Sequence, residues 1–161
     1  MAKRNKERSF LTELKRSFEA EHAFFYKISD MPHFAGMTSR FDKPKPFDAI
    51  AVLTGIPIAI EAKSFNDYKA LNISLFRHCQ VKGLDEFAEA GGKSYVFLNV
   101  RRAGNKTGGV KRVNRLYAFN WLELKRVLTV SSIKKDQLMA MPYVSDGAKD
   151  MFSLSEFLKD V

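Results

Sequence analysis

Two apolar, β-branched runs, Phe47 to Leu53 and Ile56 to Lys63, flank the dipeptide Thr54-Gly55. Strand-like runs separated by two residues leave the chain one simple solution, an antiparallel hairpin. If Thr54 and Gly55 form the turn, Leu53 faces Ile56, and each step outward preserves the sum of positions, so Asp48 lies opposite Glu61. Side chains alternate between the faces of a strand. Lys63 therefore shares a face with Glu61 and Asp48, while Phe47, Ala49, Ala51, Ile58, Ile60 and Ala62 turn to the other. One face suits a core, and the other carries two acids and a lysine.

The rest of the chain surrounds this hairpin with helices and further strands. Phe10, Leu11, Leu14 and Phe18 recur at helical spacing, which predicts an amphipathic helix over residues 7 to about 22. Ala23 to Ile28 is a short aromatic strand candidate. Asp30 to Pro46 holds three prolines and Gly36 without a clear period, and reads as a long loop with room for functional residues. Residues 64 to 74 read as a loop, and Leu75 to Ala90 as a helix closed by Gly91-Gly92. Ser94 to Val100 and Arg115 to Asn120 read as strands, Trp121 to Leu128 as a helix. Ser153 with Glu156 three residues on forms a capping box for a last helix. Helices interleaved with strands give an α/β chain with a mixed central β-sheet flanked by helices.

A length of 161 residues suits one domain, spanning 1–161, that buries a core without disulfides. Cys79 is the one cysteine, and no apolar run follows the Met1-Ala2-Lys3-Arg4 start. The expectation is a cytoplasmic chain without a membrane span. Charge adds a partner class: 27 Lys and Arg against 18 Asp and Glu give +9, which attracts polyanions, nucleic acid first among them. The positive charge is concentrated in two places. Lys3, Arg4, Lys6 and Arg8 crowd a basic N-terminal arm (1–8). Arg101, Arg102, Lys106, Lys111, Arg112 and Arg115 fall in a glycine-rich segment (101–115) with Gly104, Gly108 and Gly109. Both segments are candidate DNA-binding elements, and the second is expected to be a loop outside the core.

Two carboxylates opposite each other on a sheet repel. A hard divalent cation relieves this, because Mg²⁺ binds through one or two carboxylates together with water and substrate phosphate. Lys63 could then orient an attacking water or balance charge on a phosphate. The alternative is that Lys63 pairs with Glu61 or Asp48 as an ordinary salt bridge.

Pro46-Phe47-Asp48, then twelve residues, then Glu61-Ala62-Lys63 resembles the PD-(D/E)xK nuclease signature. The likeness runs further. Phe47-Asp48-Ala49-Ile50-Ala51-Val52 leads to Ile60-Glu61-Ala62-Lys63-Ser64, then to His78-Cys79-Gln80 on a helix. Gly91-Gly92-Lys93-Ser94-Tyr95-Val96-Phe97-Leu98 and Arg101 follow, with Phe10 to Ser17 and Tyr26-Lys27-Ile28-Ser29-Asp30 upstream. This ordered set resembles the recombination protein U family of Holliday-junction resolvases and their phage relatives. The resemblance implies a restriction-endonuclease-like fold and a homodimer that cuts four-way junctions by paired, Mg²⁺-dependent nicks, with Mn²⁺ able to substitute. Asp48 and Glu61 would be metal ligands, Lys63 the catalytic lysine, and Gln80 the family's site glutamine. His33 and His78 are not needed by this chemistry, and Cys79 reads as an inert thiol.

One position departs from the family. Where it places a further metal-directed glutamate on the first helix, this chain has Leu11. Glu7, four residues before Leu11, shares its helical face and is the preferred substitute. Glu13 is turned away by roughly 160°. Three functions follow: a junction resolvase, a nuclease of the same fold acting on other DNA structures, and a catalytically idle DNA-binding module.

Overall fold

The structure, a computed structural model, describes residues 2–29, 45–104, 109, 111–148 and 151–161. Thr54-Gly55 joins β2 (Ala49–Leu53) to β3 (Ile56–Phe65). Both turn residues have positive φ, 50° and 85°, the backbone twist that matches two antiparallel strands. A β-branched residue disfavours that conformation, and the Thr54 hydroxyl donates to the Leu53 carbonyl at 2.7 Å. The register follows: Leu53 pairs with Ile56, Ala51 with Ile58 and Ala49 with Ile60. The regular register ends there: the Asp48 amide donates to the carbonyl of Ile60, the residue already paired with Ala49, at 2.9 Å.

Phe47 departs from the expected alternation. Residues 46–48 form a bend before β2 begins, so Phe47 packs with Ala59 and Leu84 rather than with Ala49 and Ala51. Its ring meets Phe87 edge to face at 5.5 Å.

With β1 (Phe24–Lys27), β4 (Lys93–Arg102), β5 (Val113–Asn120) and β6 (Ser145–Asp146), the hairpin builds a six-stranded sheet ordered β1-β2-β3-β4-β5-β6. β3 and β4 run parallel, and the other neighbours are antiparallel. A parallel pair needs a crossover, which α2 (His78–Glu89) supplies. α2 starts three residues later than its apolar run suggests, because Phe76 turns inward onto Trp121, 5.2 Å between rings. It stops as expected. Gly91 takes φ 93°, and the amides of Gly91 and Gly92 close onto the carbonyls of Ala88 and Phe87 at 3.0 and 3.1 Å.

α1 (Ala2–Ala20) covers one face of the sheet. Phe10, Leu14 and Phe18 bury against Ile58, Ile60 and Phe97, and the Phe18 ring lies 5.6 Å from both Phe25 and Phe97. Truncating Phe18 to Ala would cost about 3–5 kcal/mol. The helix begins at Ala2, not near residue 7, so the basic segment is its opening turns and not a separate arm. Lys, Arg and Glu propagate a helix once a buried stripe has nucleated it.

The opposite face is covered by α2 and α3 (Trp121–Val130), with Leu84, Val96, Trp121 and Leu124 at its centre. Asn120 caps α3, its side chain accepting from the Leu122 amide at 3.0 Å. α4 (Lys135–Ala140) and α5 (Ser155–Leu158) complete the chain, α5 sealing the α1 side through Phe157. Ser153 does not cap α5. Leu154 holds the N-cap position without a side-chain bond, and the Ser153 hydroxyl pairs instead with that of Ser155 at 3.0 Å. The expected mixed sheet flanked by helices is thus present. Among the described residues no helix is long and apolar enough to cross a membrane.

Candidate active site

Alternation along β3 puts Ile58, Ile60 and Ala62 under α1, which leaves Glu61 and Lys63 on the face covered by α2. Glu61 is 1% exposed. Its Oε1 receives the Lys63 ammonium at 2.7 Å and the Gln80 side-chain amide at 2.6 Å. Its Oε2 is buried without a hydrogen-bond partner. Burial, and after it the charge of Asp48, push the Glu61 carboxyl up to about 7, outweighing the pull of Lys63 and Lys45.

Asp48 lies close enough for its charge to act on Glu61, but the expected cross-strand pair of the two is not part of the ladder, whose regular register ends at Ala49 and Ile60. Asp48 Oδ2 accepts the Ala62 amide at 3.0 Å, and its Oδ1 holds the Lys45 ammonium at 2.8 Å. Lys63 lies 5.0 Å from the centre of the Phe76 ring and 3.4 Å from the Gln80 carbonyl oxygen. That same oxygen accepts the Arg77 amide at 3.0 Å, so Gln80 is fixed by the first turn of α2 while it grips Glu61. One turn along α2, Gly83 presses on Pro46. A Cβ there would stand 2.2 Å from the Pro46 Cβ. Only glycine lets the helix approach the bend that sets Lys45 and Asp48.

The structure therefore brings Asp48, Glu61, Lys63 and Gln80 together. Among the described residues no group of three or more His, Cys, Asp or Glu side chains could hold a metal ion. The donors on hand are two carboxylates. They nevertheless suit a hard cation, because an unpartnered buried carboxylate oxygen next to a second carboxylate is what a divalent ion satisfies. The side chains of Glu7, Lys3, Arg4, Lys6 and Arg8 lie outside those described, as do His33, Lys106 and residues 30–44 of the proline-bearing loop. Glu13, the other acid weighed on the first helix, is committed elsewhere: it pairs with Arg101 and accepts the Ser9 hydroxyl at 3.1 Å on the α1 side. Leu11 is buried in the core.

The basic segment is less of a loop than its glycines suggest. β4 and β5 stay paired out to Arg102 and Val113, so the connection is 103–112 and not 101–115. Arg101, Arg102 and Arg115 are half-buried and engaged. Arg101 bonds Glu13 and Asn99. Arg102 faces Asp67 at 3.5 Å. Arg115 lies over the Tyr143 ring at 4.4 Å and donates to the Tyr68 hydroxyl at 3.1 Å. Long side chains bury their stems against the sheet while the heads find acceptors, which the count of charges alone did not reveal. Lys111 and Arg112 are exposed. Arg101, Arg102 and Arg112 border a cleft of about 310 Å³ shared with Glu13 and Asn114. Sequence reasoning missed Lys45, though its spacing three residues before Asp48 was a usable signal.

No protein-family model matches the chain, and no curated protein matches it. A similar solved structure is that of Hjc from Archaeoglobus fulgidus, described as a Holliday junction resolvase from an archaeal hyperthermophile. Its identity is 21% over 73% of this chain and 79% of that chain, with a TM-score of 0.46.

Proposed function

We propose that this protein is a Mg²⁺-dependent, structure-selective DNA endonuclease of the restriction-endonuclease-like type that resolves Holliday junctions by paired phosphodiester hydrolysis. The observation that carries the reading is Asp48, held by the Ala62 amide, acting electrostatically on Glu61, with Lys63 on Glu61 and one Glu61 oxygen left without a partner. A salt bridge alone would not need a second, half-buried acid beside it. Asp48 and Glu61 are the residues that would hold the cation, with Mn²⁺ able to replace Mg²⁺. When bound, it would supply charge neutralisation at the phosphate and a water acidic enough to act as nucleophile at neutral pH.

The chain's own groups do the rest. Lys63 places a positive charge where the scissile phosphate gains negative charge. Gln80 is a positioning residue: it holds the Glu61 oxygen and the Lys63 ammonium in fixed relation. Lys111, Arg112 and the basic opening turns of α1 serve DNA affinity through phosphate contacts. A homodimer would offer two equivalent sites to a four-way junction.

The test is incubation of the protein with Mg²⁺ and a labelled synthetic four-way junction or a matched duplex. Paired nicks in the junction with the duplex spared are expected, from a species that sediments as a dimer. Equal cutting of both substrates, or cutting by a strict monomer, would favour a general nuclease. Binding without cutting would leave a DNA-binding module.

A further inference from the structure

Four carboxylate oxygens define the site, and three are occupied. Asp48 Oδ2 takes the Ala62 amide, Asp48 Oδ1 takes Lys45, and Glu61 Oε1 takes Lys63 and Gln80. Among the described residues two acids thus carry two ammoniums, and with both acids ionised these four charges cancel. A divalent cation added to this arrangement would bring two uncompensated positive charges into a half-buried space, which is strongly unfavourable at short range. One ammonium has to leave. Lys63 is poorly suited to do so, being held by Glu61, Gln80 and the Phe76 ring from within β3. Lys45 lies outside any strand, just before the bend at 46–48, and its ammonium sits on Asp48 Oδ1.

We propose that Lys45 is the resident counter-ion of Asp48, held where a divalent cation is to bind, so that cation loading is an exchange in which the Lys45 ammonium leaves Asp48. This rests on the nuclease reading above, since it assumes that Asp48 takes a metal. Its chemistry is simple: a monovalent cation tethered three residues away keeps the two acids apart from bare repulsion until a dication replaces it. Lys45 is then a positioning residue and a brake on metal affinity. Pro46, clamped by Gly83, limits how far its ammonium can wander.

The experiment is Mn²⁺ binding without DNA, followed by the loss of the free-ion signal in electron paramagnetic resonance. The protein is compared with Lys45→Met, Lys45→Arg, Asp48→Asn and the double variant Lys45→Met/Asp48→Asn. Lys45→Met should bind Mn²⁺ about tenfold more tightly, because it removes a positive charge a few ångström from the ion. Lys45→Arg should stay close to wild type, since it restores that charge. Against Asp48→Asn, the Lys45→Met change should have no effect. An affinity for Lys45→Met equal to or weaker than wild type overturns the exchange while leaving the nuclease reading intact. No Mn²⁺ binding by the wild-type protein overturns both.

Discussion

Glu61 and Glu13 are both buried glutamates paired with a cation, and they lie on opposite faces of one sheet. The difference is in their oxygens. Both Glu13 oxygens have donors, Ser9 on one and Arg101 on the other, and Asn99 and Asn114 extend the network across β4 and β5. Glu61 crowds two donors onto one oxygen and leaves the other bare, beside a second acid. A satisfied buried carboxylate ties elements together. An under-satisfied one carries a desolvation cost that only an added ligand or a proton removes. The pair teaches that burial and an ion pair do not mark a reactive acid; incomplete coordination does.

That contrast is breakable. Removing either acid should separate activity from stability most sharply in junction cleavage. Glu61→Gln, Asp48→Asn and Lys63→Ala should each lower the rate by about 10³-fold or more while DNA binding persists. Glu13→Gln should leave the rate of the folded protein at the wild-type level. Single-turnover cleavage of a synthetic junction would decide, and equal losses at the two glutamates would erase the distinction.

Next comes pH. The Glu61 carboxyl keeps its proton up to about 7 in the folded chain, against 4.5 for an unperturbed glutamate. Between those values the unfolded chain has released this proton and the folded one has not, so stability falls as pH rises through the window. The loss amounts to about 3 kcal/mol at most. Urea unfolding at several pH values should show this decline in the wild type and not in Glu61→Gln. Identical pH profiles would mean that Glu61 is better satisfied than its oxygens indicate.

The Glu13 side should respond through folding. Glu13→Ala strips Arg101 and Ser9 of their acceptor and should cost about 2 kcal/mol in urea unfolding, tempered by the partial exposure of Arg101. Gly83→Ala should cost about 1 kcal/mol by forcing α2 off Pro46, and it should slow cleavage by shifting Asp48 relative to Gln80. The smallest effect concerns affinity. Lys111→Ala with Arg112→Ala should flatten the salt dependence of junction binding by roughly 0.9 in log-log slope for each phosphate that is no longer neutralised.

The two sides also differed in how readable they were. Glu61 and Lys63 are related by a period of two, so their shared face could be derived from spacing, whereas the bend at 46–48 that takes Asp48 out of the regular register could not. The apolar stripe of α1 and the glycine that ends α2 are equally local. The Glu13–Arg101 pair joins residues 88 apart in sequence, and nothing short of the folded sheet brings them together. Arg101 and Arg102 read as free loop charges because the extension of β4 past Val100 depends on tertiary pairing, not on their own residue types. Ser153 had the right spacing for a cap, yet Leu154 took the position once it was buried in the α1-side core.

The tight hairpin has a consequence for how this chain can vary in length. An insertion of one residue in β3 between the turn and Glu61 moves every position beyond it to the opposite face, taking Glu61 and Lys63 out from under α2 and into the layer occupied by α1. One extra residue on each arm instead leaves Ala49 facing Ile60, with Asp48 and Glu61 next to them. The separation of the two acids along the chain is therefore constrained by parity more than by distance. Lengths differing by an even number are open to sequence drift, and an odd change survives only if a bulge absorbs it.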